Sequence, residues 1–239
     1  MDKKNSKVII YKERIQNIFK RIFTFVIRSK KIEIQSRDRL ASFNTIYKEN
    51  RWGDENLSGG GSSVEFTKNT REVIYKIIKD FNCTSLLDVA CGDFKWMPVL
   101  LERLEPNFKY IGCDIVHNLI QQHKLLYPQY DFYQLDFVKD KLPTCDLIIC
   151  RDALQHLPID DIKKALENFS NTGAKYLLAT THIRYPQWKN KRNIRVGQCR
   201  DRNLLLEPFS LEDPIVIYSD SQISHKFLGL WKLPLKYNR

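Results

Sequence analysis

The chain has 239 residues, 43% hydrophobic and 12% aromatic, which are the values of a globular protein and exclude a largely disordered one. The six cysteines form no C-x-x-C pair, so neither a disulfide framework nor a zinc site is indicated, and a reducing cytoplasm is the expected location. The net charge of +11 is unevenly placed: residues 1–51 hold 14 Lys/Arg and 5 Asp/Glu, a net of +9, and the remaining 25 and 23 leave only +2.

The basic N-terminal segment is predicted to form an amphipathic helix over residues 8–31. Ile15, Phe19, Ile22 and Val26 recur at steps of three or four, while Lys and Arg fall largely on other faces. Such a helix could lie on an anionic membrane surface, at the inner face of the cytoplasmic membrane, or pack on the domain or a partner. We divide the chain into a helical extension at 1–46 and a globular domain at 47–239.

A glycine-rich loop follows a short helix expected near residues 40–47. Trp52 precedes this loop, and residues 58–63 read Ser-Gly-Gly-Gly-Ser-Ser ahead of a helix predicted over residues 63–81. Ser62 and Glu65 have the spacing of a capping box, in which the serine hydroxyl accepts a backbone N–H of the first helical turn. Three successive glycines exceed what a helix cap needs.

The stretch from residue 86 to residue 96 predicts a buried strand, a sharp turn and a helix, in that order. Asp88 stands near the end of the apolar run, and Gly92 provides a residue without a Cβ where the chain must turn. In such a unit a ligand binds at the carboxyl end of the strand, near the helix N-terminus. An ordinary turn with a glycine would give the same pattern, so this stretch alone decides nothing.

Carboxylates end the next three predicted strands, at Asp114, Asp136 and Asp152. An acidic residue at the tip of the second strand, about 20 residues past the glycine turn, is where ribose hydroxyls are bound in nucleotide sites. Asp136 stands beside Phe137, and this pair could bond an adenine amino group and cover its ring. A purely structural sheet does not require three carboxylates at these positions.

The remaining elements continue the alternation of strands and helices. A helix is predicted at 160–171 with Asp160 as its N-cap, a fifth strand at 175–182, and a closing antiparallel pair at 214–218 and 227–233. Repeated β and α units of this kind indicate an open α/β sheet that is mostly parallel.

These motifs resemble those of class I S-adenosylmethionine-dependent methyltransferases. The matching residues are Asp-Val-Ala-Cys-Gly at 88–92, Asp114, Leu-Asp-Phe at 135–137 and Cys-Arg-Asp-Ala-Leu-Gln-His-Leu at 150–157. The resemblance implies a Rossmann-like, seven-stranded sheet with helices on both faces, and S-adenosylmethionine as the cofactor, with S-adenosylhomocysteine as its product. The implied cofactor-binding residues are Asp88, Ala90, Gly92, Asp114, Ile115, Asp136, Phe137 and Arg151. The usual G-x-G pattern is reduced to Gly92; this argues against NAD, whose pyrophosphate needs three glycines.

A closer likeness is to a bacterial group linked to surface-polysaccharide (capsule or lipopolysaccharide) biosynthesis. It rests on Trp52, the glycine loop, residues 91–96, Gly197, Arg200, residues 203–204 and residues 228–231. It implies a lid formed by the glycine loop at the methionine end of the donor, and Trp52 and Arg200 as substrate-binding residues. Residues 184–202 carry seven Lys/Arg against Asp201 alone, so an anionic acceptor is our hypothesis, and a solvated charged loop is the alternative.

Methyl transfer is an in-line displacement in which alignment supplies much of the catalysis. An alcohol acceptor also needs a base, and Asp152, His156 and His182 are the candidate catalytic residues; a phosphate or phosphoramidate oxygen would need none. No clustered ligand pattern indicates a metal. Two other functions stay open: an RNA methyltransferase, against which the nearly neutral body of the chain argues, and a non-catalytic donor-binding protein or membrane adaptor. The sequence does not indicate the oligomeric state.

Overall fold

The computed structural model describes residues 38–53, 55–184, 189–190, 192–220 and 225–238. The helix predicted at residues 8–31 lies outside this part of the chain, so it stays a prediction. From Arg39 onward the described residues form one compact unit. That unit begins earlier than the boundary predicted between residues 46 and 47.

Helices and strands alternate through most of this unit. The helices are α1 (Arg39–Lys48), α2 (Lys68–Asp80), α3 (Met97–Leu101), α4 (His117–Leu126) and α5 (Ile159–Ser170). The strands are β1 (Ser85–Val89), β2 (Lys109–Asp114), β3 (Asp131–Gln134), β4 (Leu147–Cys150), β5 (Tyr176–His182), β6 (Val216–Ser219) and β7 (Lys226–Lys232). None of the described helices is long and apolar enough to span a membrane.

The described strands form one sheet in the order β3-β2-β1-β4-β5-β7-β6. β1 to β5 run parallel, while β7 is antiparallel to both β5 and β6. The parallel strands therefore all end at the same edge of the sheet. The strand order reverses between β1 and β4, and a crevice at such a reversal is where open α/β sheets bind ligands. The predicted seven-stranded, Rossmann-like sheet is confirmed.

Each face of the sheet carries its own apolar layer, because successive side chains of a strand point to opposite faces. Leu86 of β1 packs with α2 and α3, whereas its neighbour Leu87 packs with α5 on the other face. Both leucines are fully buried. This double burial explains why the parallel strands are continuous apolar runs, and it fixes the register that brings their carboxyl ends together.

The start of α2 differs from the prediction because local hydrogen bonds hold residues 62–67 in turns. The Ser63 hydroxyl accepts the N–H of Phe66 at 3.1 Å, and the Ser62 hydroxyl donates to the Gly59 carbonyl at 2.8 Å. The capping box predicted from Ser62 and Glu65 is therefore wrong. Ser62 instead holds the glycine turn closed.

Candidate active site

A cavity of about 700 Å³ lies at the carboxyl ends of the parallel strands, a size that suits a small-molecule ligand. Every residue predicted to bind the cofactor lines it: Asp88, Ala90, Gly92, Asp114, Ile115, Asp136, Phe137 and Arg151. Asp152, His156 and Trp52 line it as well. The structure thus brings together side chains that are spread over more than 100 positions of the sequence.

The turn after β1 is closed by the glycine loop. Gly92 has a φ of +58°, and a Cβ built at this position would collide with the hydroxyl of Ser58. The Ser58 hydroxyl accepts the N–H of Asp93 at 2.8 Å and lies 3.0 Å from the hydroxyl of Tyr47 on α1. A glycine is required here because the loop and α1 approach the backbone directly.

Asp114 is a buried carboxylate that faces the cavity. It accepts the N–H of Gly92 at 3.1 Å and the N–H of Val116 at 2.9 Å, and it is only 3% exposed. Burial raises the pKa of Asp114 to about 6, even though both N–H groups favour its charged form. Two backbone donors leave part of its acceptor capacity for a ligand.

Asp88 at the end of β1 is also buried, and its Oδ2 accepts the hydroxyl of Tyr110 at 3.0 Å. Burial raises the pKa of Asp88 to about 7, against the effect of that hydrogen bond. A buried carboxylate without a cation is costly. The site therefore favours a ligand that brings hydrogen-bond donors or positive charge, which would offset the cost of ionising this carboxylate.

Asp136 is paired with an arginine that the sequence analysis does not single out. Arg39, in the first turn of α1, donates from Nε and Nη2 to Asp136 at 2.9 and 2.7 Å, and from Nη1 to Asp161 at 2.9 Å. Arg39 itself lines the cavity. The pairing joins α1 to the loop after β3 and to the start of α5.

A buried cluster of charges lies at the opposite end of the cavity, and we call it the acceptor-end cluster. It contains Arg151, Asp152, Asp220 and Lys226. Arg151 binds Asp220 through Nε and Nη2 at 2.9 and 3.0 Å, and Lys226 bridges Asp220, at 2.8 Å, and Asp152. Although burial opposes its ionisation, Arg151 and Lys226 hold the pKa of Asp220 well below its ordinary value. Two cations thus neutralise two carboxylates within a largely buried space.

Two acceptor atoms at this end have no hydrogen-bond partner in the described structure. They are Oδ1 of Asp152 and Oε1 of Gln155, and both atoms are buried. Nearby, the indole of Trp52 lies 5.1 Å from the imidazole of His156, centroid to centroid. His156 Nδ1 is 3.2 Å from the Gln198 carbonyl, and burial lowers the pKa of this imidazole. A neutral His156 that donates from Nδ1 keeps Nε2 as a free acceptor.

The comparison with protein families agrees with this geometry. Residues 87–172 match a family model described as a methyltransferase domain. The match covers the region from the first strand to the helix after the fourth strand, which contains most of the predicted cofactor-binding residues. Comparison with curated protein sequences gives no significant match.

Solved structures extend the likeness to most of the domain. A 1,6-didemethyltoxoflavin N1-methyltransferase from Burkholderia thailandensis is 10% identical, over 89% of either chain, with a TM-score of 0.56. The N-methyltransferase NodS from Bradyrhizobium japonicum is 12% identical, over 79% of this chain and 98% of its own, with a TM-score of 0.54. Magnesium protoporphyrin IX methyltransferase from Synechocystis is 15% identical, over 80% and 93%, with a TM-score of 0.51. At these identities the likeness establishes the class I methyltransferase fold.

Two of the predicted site residues, His182 and Arg200, lie away from the cavity lining. His182 ends β5, but its Nδ1 accepts the N–H of Arg202 at 3.2 Å and its Nε2 lies 3.6 Å from Asp201. The structure therefore does not bring His182 into the site, because its ring is used to hold the following segment in place.

Arg200 adjoins the site through Gln155 without lining it. The backbone N–H of Arg200 donates to the Gln155 carbonyl at 3.0 Å, while its side-chain Nε is buried without a partner in the described structure. The backbone bond ties the basic segment at 184–202 to the cavity wall.

Sequence reasoning missed Arg39, Lys226 and Asp220. Each is remote in sequence from the motifs, and none stands at a spacing that marks a site. The one available signal is that Lys226 is a charged residue next to an apolar strand, where its charge needs a partner once the strand is buried. Among the described residues, no group of three or more His, Cys, Asp or Glu side chains is placed to hold a metal ion.

Proposed function

We propose that this protein is a methyltransferase that uses S-adenosylmethionine as its cofactor and releases S-adenosylhomocysteine. The observation that carries the proposal is the convergence of Asp88, Asp114 and Asp136 on one cavity, at the ends of three adjacent strands. Asp114 is placed to accept the ribose hydroxyls, as a carboxylate at the end of a second strand does in nucleotide sites. Asp136 and Phe137 would receive the adenine.

The residues at the turn fit this cofactor. Gly92 lets Ser58 approach the backbone, so the glycine loop can cover the methionine end. A ligand that is positively charged at sulfur would offset the cost of ionising the buried carboxyl groups of Asp88 and Asp114. When bound, the cofactor supplies a methyl group that is activated for displacement by that charge, and the protein's part is to align the acceptor and exclude water.

We further propose that the methyl group goes to an oxygen. The buried Oδ1 of Asp152 and Oε1 of Gln155 lack partners in the described structure, and a hydroxyl is a donor that either atom can bind. Asp152 is held on its Oδ2 side by Lys226 and, at 3.3 Å, by Arg151. Asp152 is therefore the first candidate for the base that takes the hydroxyl proton, and His156, whose Nε2 is an acceptor, is the second.

The acceptor that we propose is an anionic sugar, or a phosphorylated or phosphoramidate-type small molecule, of surface-polysaccharide biosynthesis. The closer family likeness of the sequence and the basic segment at 184–202 support this proposal. Arg184 is engaged by Asp201, and Arg202 donates to the Arg192 carbonyl. Arg200, whose buried Nε has no partner among the described residues, is the best placed of the described arginines in this segment to meet an anion beside the cavity.

Calorimetric titration of the full chain with S-adenosylmethionine and S-adenosylhomocysteine tests the cofactor. Transfer of a labelled methyl group to sugar phosphates then tests the acceptor, and Arg200→Ala should raise its KM about tenfold through the loss of one charged hydrogen bond. A folded protein that binds neither cofactor form would overturn the methyltransferase proposal. If the protein bound the cofactor but transferred methyl groups only to uncharged acceptors, the proposal of an anionic acceptor would be overturned.

The location proposed for the protein is the cytoplasm, with residues 8–31 on the inner face of the membrane. Only the basic amphipathic pattern of the sequence supports it. Sedimentation with anionic vesicles should retain the full chain and lose most of a variant that lacks residues 1–31. Equal retention of both proteins would contradict the proposal.

A further inference from the structure

The peptide that joins Gly92 to Asp93 is held at both of its polar ends. Its carbonyl oxygen, that of Gly92, lies 2.7 Å from Nε2 of His123 on α4. Its N–H, that of Asp93, donates to the Ser58 hydroxyl at 2.8 Å. Gly92 lines the cavity, so this peptide lies in the turn where we propose that the cofactor binds.

His123 belongs to the apolar core and not to the cavity lining. It is 2% exposed, and its ring lies 5.5 Å from that of Phe94 and 5.2 Å from that of Phe132, centroid to centroid. A carbonyl oxygen can only accept, so Nε2 carries the proton. Nδ1 is buried without a partner in the described structure, and burial lowers the pKa of this imidazole. A neutral His123 thus directs its one N–H at the Gly92 carbonyl.

This donor matters because the turn could otherwise rearrange. Gly92 has a φ of +58° and no Cβ, so rotation of the following peptide meets less steric resistance than it would at another residue. A buried carbonyl without a donor is costly, and a rotated one could reach water in the cavity instead. The carbonyl and the N–H of one peptide are rigidly linked. A carbonyl that leaves His123 therefore takes the Asp93 N–H away from Ser58.

We infer that His123 is a positioning residue that fixes the peptide between Gly92 and Asp93 and, through it, the glycine loop. The inference rests on the proposed function, in which this loop covers the methionine end of the cofactor. Loss of the histidine donor should release the loop from the turn. The ligand should then be weakened at its methionine end, while its nucleoside end is spared.

The test compares S-adenosylhomocysteine with methylthioadenosine, which has the same nucleoside and sulfur but no amino-acid portion, by calorimetric titration of the full chain. His123→Phe keeps an aromatic ring among aromatic neighbours and removes the N–H. We expect it to weaken S-adenosylhomocysteine about tenfold, the effect of one unmade hydrogen bond to a buried group, and methylthioadenosine by about twofold or less. His123→Gln, whose side-chain amide supplies an N–H donor again, should recover most of the affinity.

Trp231→Phe is the matched control for the loss of a buried ring N–H. Trp231 Nε1 donates to the Glu212 carbonyl at 2.9 Å, and neither residue is part of the cavity lining. This variant should have a lower Tm, yet it should bind both ligands as wild type does. Thermal unfolding of the same samples checks that each variant is folded at the titration temperature.

A measurement on wild type does not depend on whether a variant folds. Nitrogen NMR of isotope-labelled histidines distinguishes a ring protonated at Nε2 from one protonated at Nδ1, and contacts with the ring protons of Phe94 and Phe132 assign His123. We expect a neutral ring protonated at Nε2. A ring protonated only at Nδ1 could not donate to Gly92, and this result would overturn the inference.

The titrations separate this inference from the proposed function. If wild type binds neither ligand, the proposed function fails and the inference fails with it. If wild type binds S-adenosylhomocysteine, and His123→Phe weakens both ligands by the same factor or weakens neither, the function stands and the role inferred for His123 is overturned. Selective weakening that His123→Gln reverses supports this role, because general loosening of the fold would affect both ligands alike.

Discussion

The two ends of the cavity treat buried charge in opposite ways. At the donor end, Asp88 and Asp114 are buried with hydroxyl and backbone donors and have raised pKa values. In the acceptor-end cluster, Lys226 and Arg151 neutralise Asp152 and Asp220 within the protein. The carboxylates of the first end depend on a ligand for further partners. Those of the second end are already paired within the protein, except at single acceptor atoms. We expect the donor end to control affinity and the acceptor end to control stability.

The largest effect should come from Lys226→Met, which leaves Asp152 and Asp220 to share Arg151. Removing one partner of a buried ion pair costs about 3 kcal/mol, which corresponds to a fall in Tm of roughly 6–12 °C for a domain of this size. Thermal unfolding measures it. Lys232→Met, at the exposed far end of the same strand, is the control; an equal fall in both variants would contradict the special role of the cluster.

Asp114→Ala should show the reverse behaviour. The loss of charged hydrogen bonds to the ribose should weaken S-adenosylhomocysteine about 100-fold, while the Tm should change by only a few degrees because burial already opposes this charge. Calorimetry and thermal unfolding on the same samples measure both quantities. Asp131→Ala removes an exposed carboxylate from the start of β3 and should bind as wild type does. If Asp114→Ala still bound S-adenosylhomocysteine as wild type does, the expectation that the donor end controls affinity would be contradicted.

The affinity for S-adenosylhomocysteine should fall in mild acid. Asp114 must be ionised to accept the ribose hydroxyls, and its pKa is raised to about 6, so protonation competes with binding below that pH. Asp88, whose pKa is raised to about 7, adds to this effect, so affinity should be level only above about pH 8 and at least about tenfold weaker at pH 5. Titrations from pH 5 to pH 8 test this. A flat profile would mean that the group that binds the ribose does not titrate in this window.

The smallest effect is expected for Ser58→Ala, which loosens the glycine loop where it meets the donor turn. The variant loses the acceptor for the Asp93 N–H and the contact with Tyr47, worth about 1 kcal/mol. S-adenosylhomocysteine should bind about fivefold more weakly, as measured by calorimetry. Ser63→Ala, which loses a local bond to Phe66 in the adjacent turn, should bind normally. Equal weakening in both would assign the effect to the loop as a whole.

The two ends of the cavity also differ in how well the sequence predicts them. Gly92, Asp114 and Asp136 each follow a short apolar run, and parallel neighbours carry them to one edge, so local pattern and chain order suffice to place them. Asp152 and Lys226 are 74 residues apart and meet only because β7 returns antiparallel beside β5. Such a pairing has no local signal. The sequence likewise places His182 at a strand end but does not tell where its ring points.

Helix α1 contacts two parts of the molecule beside the cavity, and this has a consequence for how strongly the two substrates bind. Tyr47 of α1 contacts Ser58 at the turn after β1, and the side chain of Ile46 on the same helix packs against Gly197. Helix α1 therefore contacts both the turn after β1, where we propose that the cofactor binds, and the basic segment at 184–202, beside the proposed acceptor. Any shift of α1 by which one substrate strengthens the binding of the other must act in both directions by the same factor, since such coupling is reciprocal.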